Sequence, residues 1–129
     1  MATIKSFTDI SQSKKLAEIL PLESADMYYI SGDECDICFG RGVYEEIADW
    51  ICEGIPKPAD IPCWSLAALL GVLSKIGAEE PMVRKLYYTN EPKERYICQY
   101  SLTNITSEYN NPVDACYEMI IRLHELNLL

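Results

Sequence analysis

The sequence predicts an α+β fold of two antiparallel β-hairpins with about four helices, closed as one domain over residues 1–129. Three observations predict it. Leucine-rich stretches repeat at the helical period and stop at proline or glycine. Tyrosine-rich and β-branched runs of strand length are separated by short turn sequences. These runs come in neighbouring pairs, which implies antiparallel pairing and not the parallel sheet of alternating strands and helices.

Ser11 to Leu20 reads as the first helix: Leu16, Ile19 and Leu20 fall on one side, Lys14, Lys15 and Glu18 face away, and Pro21 ends it. Ala25 to Ile30 has strand composition, Ser31-Gly32-Asp33 is a turn, and Cys35 to Phe39 is the expected return strand of a first hairpin. Tyr44, Ile47, Ala48 and Ile51 follow i, i+3, i+4, i+7, which predicts a helix closed by Gly54. Ile55-Pro56-Lys57-Pro58 is a stiff connector.

Cys63 to Ser74 is the most apolar segment, and Leu66, Leu69, Leu70 and Leu73 make it a central helix. Met82 to Thr89 and Arg95 to Leu102 form a second hairpin across Asn90-Glu91-Pro92-Lys93-Glu94. The last helix opens with Asn111 as N-cap, Pro112 at its first position and Asp114 in its first turn. Val113, Cys116, Tyr117, Ile120, Leu123 and His124 line one side of it.

A chain of 129 residues with 49% apolar and 24% charged residues has ordinary globular composition. No apolar run approaches the roughly 20 residues needed to span a bilayer, and the N-terminus lacks the layout of a signal peptide, so the expected location is cytoplasmic, away from membranes. In that compartment the six cysteines read as reduced thiols. The net charge is −9, and Glu23 to Glu53 carry nine acids against one base, Arg41. Residues 63 to 129 hold eight acids and six bases. Phosphate backbones are bound by clustered Lys and Arg, so direct nucleic-acid binding is not expected. An acidic stretch instead suits a basic protein surface or serves solubility as a solvated face, and 33–58 is the acidic segment whose fold the pattern determines least.

Cys35-Asp-Ile-Cys38-Phe-Gly40-Arg-Gly42 places two thiols two residues apart with glycines behind them, half of a four-ligand zinc site. The spelling resembles one unit of the zinc-binding cysteine-rich region of J-domain chaperones, which carries such units in pairs where this chain has one. Zinc held by Cys35 and Cys38 is therefore the alternative reading, and no other cofactor is expected. A cysteine-dependent enzyme would have to join Cys63 to His124, the single histidine, across distant segments. The paired carboxylates Asp33-Glu34, Glu45-Glu46 and Glu79-Glu80 sit in polar context and read as solvated surface. Adjacent tyrosines on a strand face opposite sides, so Tyr28-Tyr29 and Tyr87-Tyr88 each send one ring away from a core face, either into an exposed row that suits a protein interface or under flanking helices that cover both faces.

Asp60-Ile-Pro-Cys-Trp-Ser-Leu66-Ala-Ala-Leu-Leu70 and Asn111-Pro-Val-Asp-Ala-Cys-Tyr-Glu-Met-Ile120 resemble a group of small uncharacterised proteins found on prophages and mobile elements of gut bacteria. The resemblance runs mainly from residue 60 onward and carries no reaction with it. The functional expectation is a non-enzymatic accessory protein that binds a protein partner, or another copy of itself, through Glu45, Glu46, Asp49, Tyr87 and Tyr88.

Overall fold

A computed structural model describes residues 5–29, 48–50 (backbone only), 61–76, 81–86, 94–101 and 104–129. Helix α1 (Ile10–Ile19) starts at a capping box: Asp9 Oδ1 accepts from the Gln12 N–H at 2.8 Å, and Gln12 Oε1 accepts from the Asp9 N–H at 3.1 Å. It stops at Leu20, whose backbone is extended and leads into Pro21. A 3₁₀ turn (Leu22–Ser24) then carries the chain into strand β1 (Met27–Tyr29). Strand β1 is the middle of a three-stranded antiparallel sheet, flanked by β2 (Ala48–Trp50) and β3 (Ile61–Cys63). The rungs are Trp50–Met27–Cys63, Asp49–Tyr28–Pro62 and Ala48–Tyr29–Ile61. Pro62 lies on the outer strand, where a missing N–H is tolerated. Met27, Tyr29 and Cys63 are buried with Phe7, Ile10 and Ile61 packed against them, and Phe7 meets Tyr29 edge-on at 6.0 Å. All of this lies within one compact unit, Phe7–Ser65.

Two expectations are corrected here. Residues 48–50 of the helix expected over Tyr44 to Ile51 are strand: four apolar positions at helical spacing do not separate helix from a short buried strand, and pairing with β1 decides. Both edges of Met27–Tyr29 are taken by β2 and β3, so a three-stranded sheet replaces the first hairpin there. The expected return strand, Cys35 to Phe39, lies outside the described residues.

The second unit comprises Leu66–Leu129 with Met1–Ser6. Helix α2 (Leu66–Ile76) begins three residues later than expected, because Cys63 belongs to β3. Leu69 and Leu73 are fully buried one turn apart, while Ala67, Gly71, Ser74 and Lys75 are exposed, so the helix has an outer face after all. Strands β4 (Met82–Leu86) and β5 (Arg95–Gln99) pair antiparallel from Met82–Gln99 to Leu86–Arg95, as the second hairpin requires. The other edge of β5 is bridged by Tyr109 opposite Tyr96 and by Ile105 opposite Gln99.

Helix α3 (Pro112–Glu125) packs against α2, β4 and β5, burying Val113, Ala115, Cys116, Met119, Ile120 and Leu123. Its start is as expected: Asn111 Oδ1 accepts from the Asp114 N–H at 2.8 Å, and Asp114 also takes an ion pair from Lys5 at 2.7 Å. Its end is a Schellman motif, with Asn127 at φ 57°, Leu128 N–H on the Leu123 carbonyl and Asn127 N–H on that of His124. His124 itself is exposed, not on the core side. Among the described residues there are three α-helices where about four were expected, and the α+β class holds.

Gly71 is exposed inside α2, and a Cβ built there meets nothing within 4 Å. Gly71→Ala should therefore stabilise the protein by about 0.5–1 kcal/mol, read as a rise in urea midpoint at unchanged slope.

Candidate functional site

Among the described residues, polar groups converge around Thr8, which is wholly buried. Its N–H donates to the Trp64 carbonyl at 3.0 Å, and its carbonyl accepts from Tyr29 Oη at 2.6 Å and from Cys63 Sγ at 3.4 Å. Its hydroxyl lies 2.8 Å from Ser13 Oγ and 3.7 Å from Cys63 Sγ, and accepts from the Trp64 N–H at 3.2 Å. One residue thus joins α1, β1 and β3 at their polar atoms. Two further bonds close the same region: Asp26 receives both the N–H and the hydroxyl of Ser65, and Trp64 Nε1 donates to Ser24 Oγ at 3.0 Å. Among the described residues, no buried side-chain nitrogen or oxygen is left without a partner.

Cys63 is at the centre of this cluster, but burial pushes its thiol up from 9.0, and hydrogen bonds from Thr8, Ser13 and Tyr29 only partly oppose that. A thiol held protonated and closed to solvent is a poor nucleophile. His124, its expected base, is exposed in the other unit. Cys98 on β5 and Cys116 on α3 are also buried. Cys116 is held far above the thiol range by its hydrogen bond with Cys98, by burial and by the charge Cys98 would carry. The three described cysteines are structural in their surroundings.

Of the residues expected to act, Glu45, Glu46, Tyr87, Tyr88, Cys35 and Cys38 lie outside the described residues. Asp49 is placed by its backbone, on the rung of Tyr28. Tyr29 turns into the core and Tyr28 does not, which is the division expected for adjacent tyrosines on a strand. An acidic position and an outward tyrosine therefore share the middle rung of the three-stranded sheet. Among the described residues no three His, Cys, Asp or Glu side chains gather as a metal site, and no helix is long and apolar enough to cross a membrane.

No protein-family model, curated protein or solved structure matches the chain. Thr8, Ser13, Asp26 and Ser65 were not anticipated. The Asp9-x-x-Gln12 capping box is legible and points to a helix start beside Thr8, but nothing local marks a threonine whose partners lie 55 and 56 residues away.

Thr8→Val keeps the shape and strands the Trp64 N–H and the Ser13 hydroxyl, so it should cost about 2–4 kcal/mol in urea unfolding. The raised Cys63 thiol also sets a pH dependence. A pKa raised in the folded state gives stability that is complete below the ordinary thiol value of 9.0 and is lost as pH rises from there through the raised value. Between about pH 8 and pH 10 wild type should therefore lose more stability than Cys63→Ala, read as the change in their urea midpoints.

Proposed function

We propose that this protein is a non-enzymatic accessory component of a mobile element, and that it binds protein through an acidic, tyrosine-bearing surface of the Phe7–Ser65 unit. The observation that carries the reading is the Asp49–Tyr28 rung. Charge alone gives solubility and steering, whereas an aromatic ring set beside a carboxylate position supplies both the apolar contact and the polar selectivity of an interface. Glu45 and Glu46 precede that rung by a few residues and extend its negative charge.

Support also comes from what the described thiols do. Cys63, Cys98 and Cys116 are buried in packing roles, which leaves the cysteine-enzyme alternative without a reactive group among the described residues. The partner surface that suits this one is basic and carries apolar side chains between its charges.

Reversing Glu45, Glu46 and Asp49 to lysine in the full chain tests the reading. Quantitative capture of partners from cells that carry the protein should fall at least about tenfold against wild type, the equivalent of about 1.4 kcal/mol. Tyr28→Ser should weaken capture with no change in charge. Equal capture by wild type and the triple variant, with both folded by circular dichroism, would remove the acidic surface from the argument.

A further inference from the structure

Two thiols meet in the core of the unit that holds α2, β4, β5 and α3. Cys98 is the fully buried residue of β5, whose other four side chains are half-buried. Cys116 lies in the buried stripe Val113, Cys116, Ile120 and Leu123 of α3, which packs on β5. The two thiols are hydrogen-bonded to each other. Both backbones are fixed independently of that contact. Cys98 pairs with Val83 along one edge of β5, and on the other its N–H donates to Thr106 Oγ1 at 2.9 Å while its carbonyl accepts from the Thr106 N–H at 3.0 Å. Cys116 follows the first turn of α3, which Asn111 caps. Cys63 differs, because its described polar neighbours are the hydroxyls of Thr8, Ser13 and Tyr29 rather than a second thiol.

We propose that Cys98 and Cys116 are a redox pair, which hydrogen peroxide closes into a reversible disulfide that ties α3 to β5. Hydrogen-bonded thiols have only to approach to roughly 2.05 Å for an S–S bond. The thiolate is the attacking form, and the hydrogen bond with Cys116 holds Cys98 below the ordinary thiol value of 9.0, against burial, which raises it. Cys98 is therefore the sulfur that reacts first. It attacks one oxygen of the peroxide: the S–O bond forms, the O–O bond breaks, and the departing hydroxide leaves as water with the proton Cys98 gave up. The Cys116 sulfur, releasing its own proton, then attacks the sulfenic acid on Cys98. The S–S bond forms, the S–O bond breaks, and a second water leaves. Two thiols are oxidised as one peroxide is reduced to two waters. Enclosure selects the oxidant, since a molecule close to water in size needs less opening of the core than a glutathione-type disulfide. The cross-link closes the connection between β5 and α3 and so restricts the unfolded chain.

Oxidation of the folded full chain with excess hydrogen peroxide, then alkylation in denaturant and peptide mapping, tests the proposal. The peptides of Cys98 and Cys116 should be recovered joined, lighter than the free pair by two hydrogens, and dithiothreitol should release both. The linked protein should show a urea midpoint higher by about 1 M, lost again on reduction. In Cys116→Ala the resolving sulfur is absent, so Cys98 should remain a sulfenic acid that dimedone labels, whereas wild type should take up little label there. Recovery of the two wild-type peptides alkylated as free thiols, oxidised singly to acids, or joined only to other cysteines overturns the proposal, whether or not Cys116→Ala folds. A mapped link that leaves the urea midpoint unchanged overturns the tie of α3 to the sheet.

Discussion

A hydroxyl or amide taken out of water must find a partner inside the protein, and in the Phe7–Ser65 unit that demand is met through Thr8. Thr8 adds to the ladder of β1 with β2 and β3, because its backbone and hydroxyl reach α1 through Ser13, β1 through Tyr29 and the end of β3 through Cys63 and Trp64. The aromatic contact of Phe7 with Tyr29 then fills the space beside it. Strands β1 and β3 and helix α1 are thereby tied to one buried point.

That anchoring has a consequence for the proposed interface. Tyr28 and Asp49 share a rung whose neighbours, Met27 and Tyr29, are buried in the core. A contact made through Tyr28, on a strand paired along both edges, would lose less of its interaction energy to conformational entropy. The same packing favours the protonated form of Cys63. The hydrogen bonds that fix β3 also enclose its thiol, and burial outweighs their effect on its proton.

How far the sequence foretells this fold depends on where each element finds its partners. Helix α3 was legible to the residue at its start, because Asn111, Pro112 and Asp114 act on their own backbone. The β4–β5 hairpin was legible because strand pairing follows from two adjacent runs. Strand β2 was not, since Ala48 to Trp50 are strand only because β1 lies alongside, and their spacing fits a helix equally well. The extent of α2 was misjudged for a related reason: Cys63 continues the apolar run of the helix but is claimed by β3. The same boundary separates what was seen of the candidate site. Acidity and adjacent tyrosines are compositional and were visible, whereas the register that sets Asp49 against Tyr28 is long-range and was not.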